Sequence, residues 1–391
     1  MQDQRFNPVF AGLGTTIFTI MSSLAVQHQA INLGQGFSDE DGPEAIREAA
    51  AQALRNGPNQ YPPMQGILEL RRAIAEHSRR FYDLEFHPGA EVLVTSGATE
   101  ALGDCIMGLV SPGDEAVVIE PCYDSYRPML SAMGAKIRAV RLAPPEFRLT
   151  EKALAGAFSE KTKVVLVNSP LNPLGRVLDH SELELLARFL TRYDAYAICD
   201  EVYEHLVFDG RSHIPLMTLP GMRERCVRVG SAGKMFSLTG WKIGWVCGSA
   251  KLVEVITKAH QFNTFTTSPA LQLGVAEGLR TQLDYAVDNT RALQARRDQI
   301  AHALKAAGFD VLGSEGTYFI TASIRNISNE QDFDFCRRMT AEARVAAIPL
   351  SVFYSSDPPT DLVRFAFCKT ANTISDSGVR LRECFATGQR K

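Results

Sequence analysis

Lys234 lies within Ser231-Ala-Gly-Lys-Met-Phe-Ser-Leu-Thr-Gly-Trp-Lys-Ile-Gly-Trp245, on a glycine-flanked turn between two short apolar runs, 226–230 and 243–248. A lysine amine in such a turn can condense with an aldehyde to form a Schiff base, provided that it is neutral part of the time. Burial or neighbouring cations must then lower its pKa. Ser231 and Lys242 stand on either side, a hydroxyl and an ammonium suited to an anionic group such as a phosphate. The ordinary alternative is a surface lysine in a loop. Gly233, Gly240, Gly244 and two tryptophans in the same window weigh against it.

The elements that must position these residues follow from the hydrophobic pattern. Short β-rich runs at 92–96, 116–120, 136–142, 163–168, 196–200, 226–230 and 243–248 alternate with amphipathic stretches such as 99–110 and 181–192. Buried runs separated by helical patterns predict an α/β domain with a largely parallel sheet. Ligands bind such sheets at the strand C-terminal ends, so the residues after each run are candidates. After the first run, Gly97-Ala98-Thr99 opens a helix whose free N–H groups could seat a phosphate, although an ordinary N-cap reads equally well. Asn172 sits in a proline-fixed turn after 163–168. Asp200, at the end of the run 196–200, is a carboxylate that needs a cation partner if buried, and a protonated pyridine nitrogen would be one. An aspartate capping a following helix is the alternative. Tyr203 could donate to a ring oxygen. Tyr123 could stack on a planar cofactor, or simply pack in the core. Arg364, inside the apolar run 362–367, needs an anion, and a substrate carboxylate fits its fork; a structural salt bridge competes.

From about residue 285 the pattern changes to a long charged helix near 285–307, short runs at 309–312 and 318–323, a helix at 332–343 and the strand 362–367. That predicts a smaller α+β domain. The first forty residues show little periodicity and could join that domain or form an arm. The expected division is 1–45 (arm and part of the small domain), 46–285 (large domain) and 286–391 (small domain). The chain has 391 residues and a formal net charge of −3, which invites neither nucleic acid nor an acidic membrane. No apolar run is long enough to span a bilayer. The first residues do not look like a secretory leader. Eight scattered cysteines without a C-x-x-C pair fit a reducing, cytoplasmic setting and no disulfide framework. No histidine spacing points to a metal.

Together these residues supply an aldehyde trap, a phosphate seat, a carboxylate for a ring nitrogen, a stacking aromatic and a carboxylate clamp. Pyridoxal phosphate is the cofactor with the matching groups. The chain resembles, over nearly its whole length, the class I/II pyridoxal-phosphate aminotransferases of fold type I. The segments that carry the resemblance are Asn32-Leu-Gly-Gln-Gly-Phe37, Asn168-Ser-Pro-Leu-Asn-Pro-Leu-Gly175, Cys199-Asp-Glu-Val-Tyr203, the Lys234 segment and Val363-Arg364-Phe365. Asn59-Gln-Tyr-Pro-Pro-Met-Gln-Gly66 and Pro121-Cys-Tyr-Asp-Ser-Tyr126 point to the methionine, kynurenine and glutamine transaminase subgroup. The resemblance implies a large domain built on a mostly parallel seven-stranded sheet. It implies Lys234 as Schiff-base lysine and proton shuttle, Asp200 at the pyridine nitrogen, Asn172 and Tyr203 at the ring oxygen, and Tyr123 stacked on the ring. Gly97, Ala98, Thr99, Ser231 and Lys242 would hold the phosphate, with Tyr61 reaching it from a second subunit of a homodimer. Arg364, Asn172 and the backbone at Gly36 would bind the substrate carboxylate. Lys242 stands where many relatives carry arginine, so that contact would be a point charge rather than a fork.

The expected reaction is a ping-pong transfer of an amino group from a neutral or aromatic L-amino acid to a 2-oxo acid. Phe18, Phe37, Tyr61, Phe265 and Tyr318 are the expected aromatic lining, with no second arginine placed for a dicarboxylate. A cysteine-conjugate β-lyase is the nearest alternative, and a non-catalytic pyridoxal-phosphate sensor a more distant one.

Overall fold

The computed structural model describes residues 6–385; the outermost ends of the expected first and last segments, 1–5 and 386–391, lie outside the described residues. The strands in chain order are β1 (Ile31–Asn32), β2 (Val92–Thr95), β3 (Glu115–Glu120), β4 (Lys136–Arg141), β5 (Thr162–Asn168), β6 (Tyr196–Asp200), β7 (Cys226–Ser231), β8 (Gly244–Gly248), β9 (Asp310–Val311), β10 (Phe319–Ser323), β11 (Val345–Ala346), β12 (Ile348–Pro349) and β13 (Leu362–Ala366). Seven of them form one sheet in the order β2-β8-β7-β6-β5-β3-β4. All seven expected runs are in it, with bounds within about one residue of those read from the pattern. Val, Ile and Ala fill the central strands because helices cover both faces. The edge strand β4 instead exposes Lys136 and Arg138, charges that discourage a further strand from pairing there.

One strand departs from the parallel pattern, and the site depends on it. β8 runs antiparallel to both neighbours, β2 and β7. Its beginning therefore lies at the edge where the parallel strands end. Thr95, Gly244 and Ser231 share one row of the sheet, which brings Lys242, just before β8, beside the residues that follow β2 and β7.

The C-terminal part has an antiparallel sheet in the order β12-β13-β10-β9, and Arg364 of β13 pairs with Thr321 of β10 and Ile348 of β12. The long helix is Leu283–Ala306 and packs on Ala371–Phe385. The N-terminal region is more regular than its pattern suggests. Helix Ile17–Gln27 starts at Thr16, whose hydroxyl accepts the Thr19 N–H at 3.2 Å, and β1 pairs in parallel with β11. Its buried residues are only Met21 and Ala25, too few to print a helical period. Among the described residues, no helix is long and apolar enough to cross a membrane. All eight cysteines are free thiols.

Beneath the sheet edge lies a buried ion network. Arg228 of β7 donates to Glu201 at 2.6 Å and to Glu204 at 2.9 Å, and its guanidinium lies over the Tyr82 ring. His77 and His205 meet nitrogen to nitrogen at 2.7 Å next to it, so the fold gathers histidines that are scattered in sequence. Glu201 and Glu204 directly follow Asp200 and Tyr203, and the network therefore fixes the turn that carries both. Removing one side of a buried pair strands the other charge. Arg228→Met is expected to lower stability by about 3–5 kcal/mol, measured by urea denaturation; an unchanged midpoint would show that the network holds nothing.

Candidate active site

A cavity of about 300 Å³ opens at the C-terminal edge of the large sheet, where β13 approaches it. Twelve of the thirteen residues expected at the site line it: Gly36, Gly97, Ala98, Thr99, Tyr123, Asn172, Asp200, Tyr203, Ser231, Lys234, Lys242 and Arg364. Tyr61 does not. It is 82% exposed, with its ring edge-on to Phe265 at 5.5 Å. Of the expected aromatic lining, Phe18 is on the cavity wall, while Tyr318 borders a small recess behind Lys234. Phe37 and Phe265, like Tyr61, are exposed and lie off the wall.

Lys234 sits in the single turn Ala232–Met235 after β7. Its Nζ donates to the Tyr318 hydroxyl at 2.8 Å, and that hydroxyl donates to the Gly36 carbonyl at 2.6 Å. Burial pulls the lysine down to about 8, helped by Lys242 and Arg364 and opposed by Asp200. Tyr318 is thus more than lining. Its contact with Lys234 spans 84 residues of sequence, and no local motif announces it.

Asp200 ends β6 and is pushed up to about 6 by burial. Its Oδ2 accepts the Tyr126 hydroxyl at 2.6 Å and its Oδ1 the Val202 N–H at 3.4 Å. The chain turns after Asp200 rather than entering a helix, so the helix-capping alternative does not apply. Tyr126, fully buried, is a site residue to which the sequence reading assigned no role. Asn168 is another. Its amide donates to the Asp200 carbonyl at 2.8 Å and accepts the Asn172 N–H at 2.8 Å, locking the two turns together.

Arg364 is 1% exposed. Its Nη1 donates to Asn172 Oδ1 at 3.0 Å and its Nη2 to the Gly34 carbonyl at 2.7 Å, while its Nε has no partner. The guanidinium lies 4.0 Å from the Phe319 ring centroid and also faces Phe18 and Phe353. Burial lowers its pKa to about 10, which leaves it charged at neutral pH. No carboxylate within ion-pairing distance of it is found among the described residues. Among the described residues Arg364 thus makes no structural salt bridge, and its charge is left for a ligand anion. Gly36 brings backbone close to this wall: a Cβ there would lie 2.6 Å from the Phe319 ring.

The expected phosphate-binding turn begins at Gly97, the N-cap of the helix Ala98–Leu109. Gly97 has φ of +81° and no side chain to cap the helix, so the first N–H groups are left for a ligand. A Cβ on Gly97 would come within 3.2 Å of Lys242 Nζ. One on Gly244 would be 2.6 Å from the Gly97 carbonyl carbon. Glycine at both positions lets the ammonium lie against the turn. Tyr123 stands edge-on to Tyr126 at 5.7 Å, and Tyr203 edge-on to Tyr318 at 5.2 Å.

Three features test the fit of pyridoxal phosphate: a buried guanidinium with an unpaired Nε, a buried carboxylate drawn toward neutrality, and an uncapped helix N-terminus beside a lysine. Each lacks the partner that a substrate carboxylate, a ring N–H and a phosphate would supply. The residues fit the group, and a fold type I site for pyridoxal phosphate is the class of protein they define.

Comparison with known proteins agrees. Residues 28–376 match the model of the family "Aminotransferase class I and II". The chain is 43% identical to a probable N-succinyldiaminopimelate aminotransferase of Mycobacterium tuberculosis, covering 94% of this chain and 95% of that protein. It is 33% identical to mouse kynurenine–oxoglutarate transaminase 3, covering 93% and 86%. The solved structure of YbdL from Escherichia coli, described as having a methionine aminotransferase function, superposes with a TM-score of 0.94 at 39% identity, covering 97% of this chain and 99% of that one. The chain belongs to the class I and II aminotransferases. It is a transaminase that depends on pyridoxal phosphate, and β-elimination gains no support from these relatives.

The lowered Lys234 pKa sets a pH dependence. Only the neutral amine attacks an aldehyde, and its fraction grows as pH rises through about 8. The rate at which cofactor-free enzyme takes up pyridoxal phosphate, followed by absorbance from pH 6.5 to 9.5, is expected to rise with a midpoint near that value. A rise still climbing toward the ordinary lysine range would contradict the buried setting.

Proposed function

We propose that the enzyme takes its amino group from a neutral or aromatic L-amino acid, with methionine, glutamine, aromatic amino acids and kynurenine as candidates, and delivers it to a 2-oxo acid in two half-reactions at one site. The observation that carries this reading is the set of charged side chains on the cavity wall: Lys234, Lys242, Arg364 and Asp200. Each has a task that the cofactor and the α-carboxylate occupy fully. Phe18, Gln35, Leu102, Ile243 and Phe319, also on the wall, leave an uncharged surface for the substrate side chain.

When bound, pyridoxal phosphate supplies the electron sink for the charge left by the departing α-proton. The protein residues then divide the work. Lys234 Nζ would take that proton from the α-carbon and deliver one to the cofactor's carbon, its pKa placed near the operating pH. Asp200, held by Tyr126, keeps the ring nitrogen protonated. Asn172 and Tyr203 would bond the ring oxygen, and Tyr123 would stack on the ring. Gly97, Ala98, Thr99, Ser231 and Lys242 hold the phosphate. Arg364, with Asn172 and the Gly36 backbone, orients the α-carboxylate. The division of the chain into 1–45, 46–285 and 286–391 is proposed on the same footing, supported by the pairing of β1 with β11. The free cysteines support a cytoplasmic setting.

The 43% identity to the mycobacterial relative favours a second donor, an N-succinylated diamino acid, and one experiment separates the two. Purified enzyme is mixed with methionine, or with N-succinyl-diaminopimelate, in the absence of any 2-oxo acid. Methionine is expected to shift the visible absorbance band to shorter wavelength and release its 2-oxo acid, and Lys234→Arg is expected to slow this by at least about 10⁴-fold. A shift with the succinylated donor alone would replace the neutral-donor reading.

Tyr61, exposed and off its own chain's cavity, supports a homodimer in which it completes the partner's phosphate site. Tyr61→Ala and Lys234→Ala chains, each inactive, are expected to regain activity when unfolded and refolded together, since one hybrid site would then be whole. No recovery from a mixture shown to contain hybrids would refute the shared site.

A further inference from the structure

A buried histidine lies behind the phosphate seat, and its partners define its charge. The helix Ala98–Leu109 carries Glu100 in its first turn and Asp104 one turn further on. Their side chains are 8% and 0% exposed. Glu100 accepts the Ser96 N–H, which fixes its carboxylate beside the turn that leads into Gly97. Negative charge at this helix end favours the helix alone but repels any anion seated on the same N–H groups.

His260, from the helix Ala250–Asn263 and fully buried, faces both carboxylates. Its Nδ1 lies 2.6 Å from Glu100 Oε1 and 3.3 Å from Asp104 Oδ2. Its Nε2 lies 3.1 Å from the Met64 carbonyl oxygen. A carbonyl oxygen only accepts, so Nε2 carries a hydrogen; Nδ1, between two carboxylates, carries one as well. With both nitrogens protonated the ring is an imidazolium. Burial opposes that charge, but the neighbouring Asp104 carboxylate and the hydrogen bond to Glu100 outweigh it and raise the pKa to about 9. The remaining neighbour, Asn263, donates to Asp104 Oδ1 at 3.0 Å and adds no charge.

Resting on the cofactor reading above, we propose that His260 is a positioning residue for the phosphate seat: its positive charge cancels one of the two buried carboxylates, so that the Ala98–Thr99 turn with Lys242 attracts the phosphate. Its Nε2–H also ties the segment that contains Tyr61 and Met64 to the same helix. Without the imidazolium, two carboxylates stand uncompensated behind the anion. With it, one does.

The test uses full-length enzyme stripped of cofactor, and measures equilibrium binding of pyridoxal phosphate, inorganic phosphate and pyridoxal. His260→Gln is expected to weaken both phosphate ligands at least about tenfold while leaving pyridoxal, which lacks the phosphate, nearly unchanged. The double variant Glu100→Gln/His260→Gln restores the charge balance and is expected to recover phosphate binding. Equal loss for pyridoxal and pyridoxal phosphate, or no recovery in the double variant, would mean a packing role and overturn the proposal. If His260→Gln does not fold, Glu100→Gln decides alone: it should bind inorganic phosphate at least as tightly as the parent, and weaker binding refutes the idea. The cofactor reading is checked separately, by borohydride reduction of the loaded parent enzyme and mass analysis of the Lys234 peptide. Its failure would leave the inorganic phosphate comparison intact.

Discussion

Charges buried without an internal counterpart organise this molecule. Arg364 is enclosed by three aromatic rings and bonded only to a carbonyl and an amide oxygen. Asp200 is enclosed with a phenol and an N–H for partners. Lys234 is enclosed with a phenol. Burial moves each toward its neutral form, lowering Lys234 and Arg364 and raising Asp200. A folded chain tolerates such groups only where something else over-determines their positions. Here that something is the sheet edge together with buried ion pairs beneath it, of which Arg228 with Glu201 and Glu204 is the clearest.

The antiparallel strand β8 is the geometric counterpart of that electrostatic constraint. In an all-parallel sheet the residues leading into a strand would lie at the far edge. Reversal of β8 places Lys242 beside Gly97, and the pairing of Gly244 with both Thr95 and Ser231 makes the proposed phosphate seat a property of three adjacent strands. Small side chains are required where these strands crowd, as the close approach of Gly244 to Gly97 shows.

Much of this could be seen in the sequence, and what could not has a common cause. The strands were legible because central strands are uniformly apolar. Lys234, Asp200, Asn172 and Arg364 were legible because each is a polar residue just where such a strand ends or inside one. The sequence assigns no role to Tyr126 or His260 and places Tyr318 only in the aromatic lining, since each acts on a partner 74, 160 or 84 residues away, and a tyrosine or histidine on an amphipathic stretch looks the same whether it packs or positions. Helix Ile17–Gln27 was missed because it buries too little to show a period. Phe37 and Phe265 were expected on the cavity wall because they are aromatic and near the motifs, yet they lie exposed.

The charge count of the cavity bears on the substrate. Three cations and one carboxylate face it, an excess of two positive charges while Lys234 is an ammonium. Once the amine of Lys234 is neutral, as its task requires, Lys242, Arg364 and Asp200 leave one positive charge on the wall, to be met by a phosphate of nearly two negative charges and one α-carboxylate. A second carboxylate would enter a wall whose cations are all engaged and would need a basic group from outside this chain's cavity, at a cost that grows as water is excluded. That lack of a spare cation on one protomer's wall is what supports the proposed uncharged donor; a dicarboxylate donor would need a cation from elsewhere.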